Sequence, residues 1–183
     1  RDFYKAFGCR VCMLLSYQMI SVYQLYIVED YVHQTKTEAA GTIATMSIIT
    51  MVVSLTASLI SGPISDKMHT HKVPVIIASL LFAIGTAMPW IMPSVTGMYL
   101  YAGIAGFGYG VYSAIDQALN VDVLPNKEEA GKGLGILNLA TTLGQAITSA
   151  VKTVTGTFTA AFAISIVMAL CAAGFVLSLR KVR

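Results

Sequence analysis

The sequence predicts an all-α fold, an integral membrane bundle of six helices with no β-sheet. Three observations carry this. Hydrophobic residues are 56% of the 183 and charged residues only 11%, with mean hydropathy +0.71; an ordinary soluble domain carries roughly 25% charged residues. Apolar stretches near the length of about 20 residues that a bilayer span needs recur between short charged or Pro/Gly-containing breaks. The twelve Lys and Arg residues divide ten against two between alternate connections, as the positive-inside rule expects of an even number of spans with both ends on the basic, cytoplasmic face.

The spans are expected at about 7–28, 39–61, 73–92, 98–119, 131–152 and 158–179. The first has a polar centre, with Tyr17, Ser21 and Gln24 on one helical face. Glu29, Asp30, His33, Lys36 and Glu38 form the loop after it. The second carries Gly41, Thr45, Ser54, Ser58 and Gly62, small residues that let membrane helices approach closely and whose hydroxyls can bond back to their own helix. A compact loop is read over 62–72, Gly-Pro-Ile-Ser-Asp-Lys-Met-His-Thr-His-Lys. The third span is almost wholly apolar and ends at Pro89, Trp90 and Pro93, with Trp90 placed as an interfacial anchor. The fourth has a close-packing stripe of Gly103, Gly106 and Gly110. Proline and a run of charges over 122–129 interrupt the chain before the fifth, which opens on Gly131, Gly133 and Gly135. The sixth is nearly all Ala, Ile, Val, Leu and Phe and ends in the basic 180–183 cluster.

Polar stripes distinguish the helices. Tyr109, Tyr112, Ser113, Asp116 and Asn120 share a face of the fourth span; Asn138, Thr141, Thr142, Gln145, Ser149 and Lys152 share one on the fifth. Polar side chains are costly in hydrocarbon, so these stripes should face a bundle interior, a partner helix or a water-filled path. The first, fourth and fifth spans are striped, the second is mixed, and the third and sixth are bland. This order divides the chain into two three-helix units, and paired repeats are a transporter device. The composition leaves no room for a soluble domain or a nucleic-acid module. Cys9-x-x-Cys12 has a redox or metal spacing but no second pair, so small apolar helix residues are the simpler reading, and no metal or cofactor is expected. His-Glu-x-x-His, Gly-x-Ser-x-Gly and phosphate-loop motifs are missing from the sequence, and no enzyme is expected.

Over essentially its whole length the chain resembles the carboxy-terminal half of a major facilitator superfamily transporter. The most specific match is the family's loop pattern Gly-x-x-x-Asp-Arg/Lys-x-Gly-Arg/Lys-Arg/Lys: Gly62, Asp66 and Lys67 stand in place, while His69 replaces the second glycine and the basic cluster shrinks to His71 and Lys72. Tyr112 to Leu119, Asp122 to Pro125 and Gly131 to Gly135 also look like bacterial members grouped with sugar carriers. The resemblance implies two inverted three-helix repeats forming half of a twelve-helix transporter, with first and fourth helices on the cavity and third and sixth outside. It assigns conformational gating to the Gly62, Asp66 and Lys67 motif.

The expected function is secondary transport of a small polar organic solute, a sugar or glycoside, by alternating access. The substrate-binding candidates are Tyr17, Ser21, Gln24, Tyr109, Tyr112, Ser113, Asn138, Thr142 and Gln145, whose neutral phenol, amide and hydroxyl groups suit sugar hydroxyls. The gating or coupling candidates are Gly62, Asp66, Lys67 and Asp116. Asp116 reads either as a proton-coupling carboxylate or as a gate contact; counting from Gly97 puts it near the cytoplasmic helix end, which favours the contact. Arg10 is placed to snorkel to the headgroups, and no buried cation is expected near mid-membrane. The expected partners are the solute, the lipid bilayer of a cell membrane, a coupling proton or cation as in a symporter, and an upstream six-helix half or second copy, since Arg1 does not start a protein. The alternatives are a non-transporting scaffold or sensor and a small channel of several copies.

Overall fold

The computed structural model describes residues 2–68, 72–122 and 158–178, together with single helical positions at 135, 139, 142, 143, 146, 150 and 154. Among the described residues there is no β-strand. Helix α1 is Asp2–Ser21 and α2 the short turn Gln24–Tyr26, followed by a π-helical turn Ile27–Tyr31; then come α3 (Lys36–Met68), α4 (Lys72–Ile91), α5 (Val95–Asp122) and α6 (Phe158–Leu177). Three helical stretches, Lys36–Ser65, Val73–Ile91 and Thr159–Leu177, are long and apolar enough to cross a membrane, and the bent pair Phe7–Ser21 and Gln24–Tyr31 makes a fourth if counted as one span. Helix α5 has the length but is diluted by Gly and Tyr, including Gly106, Gly108, Gly110, Tyr101, Tyr109 and Tyr112. The expected span 131–152 lies largely outside the described residues.

The expected straight first span is broken. Helix α1 stops at Ser21, Tyr23 leaves helical geometry at φ −101° and ψ 8°, and the two arms meet at 47°. The following turn widens so that Val32 N–H donates to Ile27 O (3.0 Å) and Gln34 N–H to Val28 O (3.2 Å). His33, at φ 60°, closes it in the left-handed region, which His enters more readily than most residues. The result is a Schellman-like end lengthened by one residue through the π turn.

Helix α3 begins earlier and ends later than the 39–61 expectation. Its start is a capping box: Thr35 N–H and Oγ1–H both donate to Glu38 Oε2 (3.1 and 2.8 Å), and Glu38 N–H reaches Thr35 Oγ1 (3.5 Å). Its end corrects the loop read over 62–72, because Gly62, Asp66 and Lys67 are helical. Pro63 sits inside the helix; proline fixes φ near the helical value and its lost backbone bond is tolerated in membrane helices. At about 1.5 Å per residue the 33-residue helix is about 50 Å long, well beyond the roughly 30 Å of hydrocarbon. One end, the whole helix or both must therefore tilt or project.

Helix α5 is the centre of the packing, with α3 and α4 against it, while α6 packs on α1 and α4. Close approach explains its glycines. A Cβ on Gly110 would lie 2.6 Å from Ser54 O, one on Gly106 3.3 Å from Thr50 Cγ2, and one on Gly108 2.7 Å from Ala78 O. The expected stripe is thus corrected in one member: a Cβ on Gly103 would meet nothing within 4 Å among the described residues, and Gly108, on the α4 side, is tightly packed instead. A Cβ on Gly41 or Gly62 of α3 would likewise meet nothing within 4 Å among the described residues. Helices α1 and α6 run antiparallel, in register through Gly8 against the Phe175 ring and Ser16 against Ser165; Lys5 Nζ donates to Ser178 O at the α6 end. The last is a cation at a helix C-terminus, where the macrodipole favours it.

Several hydroxyls on α3 bond back to their own helix, among them Thr45 to Gly41 O (3.0 Å), Ser47 to Ile43 O (2.9 Å) and Thr56 to Val52 O (2.8 Å). Trp90 is partly exposed, and its carbonyl accepts from Tyr31 Oη (3.3 Å), tying the π turn to the end of α4.

Candidate functional site

The shared face of Tyr17, Ser21 and Gln24 becomes one wall of a cavity of about 280 Å³. Helix α3 supplies Ser47, Thr50 and Met51; α5 supplies Tyr101, Ala102, Ala105 and Gly106; Phe82 of α4 closes the back. The break after Ser21 matters here, because it starts a new helical arm at Gln24 and keeps its amide on this wall. That amide Nε2–H donates to Met46 Sδ (3.6 Å), and Thr50 Oγ1–H to Ala102 O (3.5 Å). Ala102, Ala105 and Gly106 leave the space that the side chains of α1 and α3 border. Among the described residues, none that lines it carries a charge.

Beside the cavity the aromatic residues form a continuous set. Tyr17 stacks on Tyr109 with ring centroids 4.1 Å apart and 13° between planes; Tyr109 lies 6.3 Å from Tyr112; Tyr17 also lies 6.3 Å from Phe82, which meets Tyr101 edge-on at 6.5 Å. Parallel rings at this distance gain about 0.5–1.5 kcal/mol beyond burial, so the stack helps join α1 to α5.

Past the stack lies a buried charged group. Arg10 Nη1 donates to Asp116 Oδ2 at 2.5 Å, and Tyr112 Oη to Asp116 Oδ1 at 2.7 Å, with Arg10 and Asp116 only 8% and 6% exposed. This corrects the snorkelling expectation for Arg10. Helix α5 brings a carboxylate opposite it, and a paired, hydrogen-bonded cation need not reach for headgroups. Asp116 itself, although close to the α5 end at Asp122, is buried and meets α1 through Arg10.

The stripe on α5 therefore divides. Tyr109, Tyr112 and Asp116 turn towards α1, while Ser113 is exposed and donates back to Gly110 O (3.1 Å). Thr142 is exposed; Asn138 and Gln145 lie outside the described residues. Of the gating candidates, Gly62 is half-buried and Lys67 exposed, both at the end of α3; the Asp66 side chain lies outside the described residues. Asp116 is about 50 positions further along the chain, on another helix, with Arg10 as its partner. Ser47, Thr50, Phe82 and Tyr101 escaped the sequence reading. Ser47 was hidden among back-bonding hydroxyls, and Phe82 in a bland apolar helix.

Among curated proteins no sequence matches this chain. Nine chains of solved structures resemble it. One is the POT family transporter PepTSo, solved in meso: TM-score 0.77 at 18% identity, over 100% of this chain and 38% of that one. The likeness is one of fold, and the chain spans well under half the length of that transporter. The sequence profile of the Major Facilitator Superfamily matches residues 6–183, nearly the whole chain, and the protein belongs to that family.

Proposed function

We propose that this chain forms one half of a secondary carrier that moves a small neutral polar solute, a sugar or glycoside, across a cell membrane by alternating access. The observation that carries the reading is the uncharged cavity bounded by Tyr17, Ser21, Gln24, Thr50 and Tyr101. Hydroxyl and amide groups both donate and accept, so they can answer sugar hydroxyls in either role. Tyr17, Tyr101 and Phe82 offer ring faces and edges to the C–H face of a pyranose. The buried Arg10 does not argue for an anionic solute, because Asp116 neutralises it. Family membership and the fold likeness to a POT family transporter support the carrier mode rather than a particular solute.

At about 280 Å³ the cavity is just below the roughly 300–1,000 Å³ usual for solute sites. A facing wall completes it, either an upstream six-helix half of the same protein or a second copy. Asn138, Thr142 and Gln145 extend the site on the fifth span, and Tyr109 adjoins it through its stack on Tyr17, with Tyr112 and Ser113 further along α5. Asp116 is the coupling group. Protonation, or an approaching cation, weakens its hold on Arg10 and loosens α1 from α5. Gly62, Asp66 and Lys67 gate the basic face at the α3–α4 connection, and both termini lie on that cytoplasmic side.

The test is uptake of labelled mono- and disaccharides into proteoliposomes by the chain joined to its upstream sequence. Saturable uptake supports a carrier, and uptake rising linearly with concentration supports a channel. Glycoside binding without uptake supports a sensor or scaffold. Gln24→Ala should lower uptake roughly 2- to 10-fold, the value of one neutral hydrogen bond.

A further inference from the structure

Helices α3 and α4 both pack on α5 and leave a second, partly open cleft between them. It measures about 160 Å³, with Ile60 and Ile64 of α3 and Pro74 and Ile77 of α4 as walls and Phe107 and Val111 of α5 as floor. Ile60, Ile64, Ile77 and Phe107 are each a third to a half exposed. Ser61, also on the wall, turns its hydroxyl back to Ser58 O at 3.1 Å, so the lining is apolar. Solute sites run roughly 300–1,000 Å³ and converge polar groups on the ligand; this cleft does neither. It has the dimensions of a slot for a single chain segment.

Its position says what fills it. The cleft walls, α3 and α4, are long and apolar enough to span a bilayer, and the cleft lies close to the α3–α4 connection. Pro74 and Ile77 are in the first two turns of α4, about 3–8 Å along the axis from Lys72. Ile60, Ile64 and Lys67 fall at i, i+4 and i+7, one face of α3, with the exposed Lys67 a turn beyond the apolar walls. Asp66 stands about 100° round the helix from that face. Lys67 therefore stands at the level at which a headgroup lies when its acyl chain enters the cleft.

We infer that this cleft is a binding site for an anionic phospholipid, one acyl chain lying between Ile60, Ile64 and Ile77 over Phe107 and its phosphate held at Lys67. The site is separate from the solute cavity and does not depend on which solute that cavity takes. Bound there, the lipid bridges α4 and α3, whose end carries Gly62, Asp66 and Lys67.

The experiment uses the full chain in mixed vesicles, with Trp90→Phe removing the single native tryptophan and Phe107→Trp placing a reporter on the cleft floor. Brominated phosphatidylglycerol should quench the introduced tryptophan at a mole fraction about 5-fold lower than brominated phosphatidylcholine, as one surface lysine favours an anionic lipid. Lys67→Glu should abolish the preference, and a reporter at Leu170→Trp, exposed on α6, should show none. Native mass spectrometry of the unsubstituted chain guards against disturbance by the reporter, and should retain phosphatidylglycerol in preference to phosphatidylcholine unless Lys67→Glu is present. Four outcomes overturn the inference: equal retention and quenching by both lipids, a preference that survives Lys67→Glu, the same preference at Leu170→Trp, or a cleft reporter that neither lipid quenches.

Discussion

Ser16 of α1 and Ser165 of α6 hold each other's backbone: each hydroxyl donates to the other residue's carbonyl, at 2.6 and 2.8 Å, and both residues are fully buried. In an apolar interface this reciprocal pair fixes the register of two otherwise smooth helices. Hydroxyl contacts of this kind couple by about 0.6 kcal/mol on average and at most about 1.7. The value is modest because a hydroxyl that loses its partner can turn back to its own helix, as Ser79 does to Val75 O at 2.9 Å. Ser16→Ala and Ser165→Ala should each lower stability, with a coupling energy near the upper end of that range. Chemical unfolding in detergent across the double-mutant cycle measures it, and additive losses would count against a reciprocal contact.

The Arg10–Asp116 pair makes a stronger claim. Removing one member of a buried pair strands the other, at about 3–5 kcal/mol, whereas replacing both by apolar residues is often near neutral. Arg10→Leu and Asp116→Leu should each destabilise the chain severely, and the double variant should recover most of the loss. Thermal unfolding of the three variants decides it; a double variant as weak as the singles contradicts the pairing.

The glycines of α5 offer a contrast within one helix. An added methyl at Gly108 meets the Ala78 carbonyl oxygen at 2.7 Å and the Phe82 nitrogen at 2.9 Å, both backbone atoms that cannot swing away. At Gly103 it meets nothing within 4 Å. Gly103→Ala should therefore gain about 0.5–1 kcal/mol from helix propensity, while Gly108→Ala should lose stability. Comparing their melting temperatures with the unsubstituted chain tests both signs.

These contacts also mark how far the sequence could be read. Span positions follow from apolar length and flanking charge, so α4 and α6 fall within a residue or two of expectation. The face shared by Tyr17, Ser21 and Gln24 follows from the helical period and survives the break between Ser21 and Gln24. Pairings across the bundle were hidden, because Arg10 and Asp116 are 106 positions apart and nothing local announces which helices meet. Ser165 stands in a helix that is otherwise nearly all apolar and gives no sign of its partner. The extension of α3 over Gly62 and Pro63 was missed because a Gly-Pro step ordinarily breaks a helix in water, whereas neighbouring membrane helices tolerate it. The Thr35-x-x-Glu38 capping signal was present and could have placed the start of α3 correctly.

The most direct test of the solute cavity is a protection experiment at Thr50, which lines it from α3. In a background with Cys9, Cys12 and Cys171 changed to alanine, Thr50→Cys is introduced into the full-length protein, and its alkylation by a small maleimide is timed with and without glycoside. Lys36→Cys, at the exposed start of α3, serves as the control. The account predicts that saturating glycoside slows alkylation at position 50 severalfold and leaves position 36 unchanged. Equal rates at position 50 with and without glycoside, in a protein that still takes up the sugar, would place the solute elsewhere and contradict it.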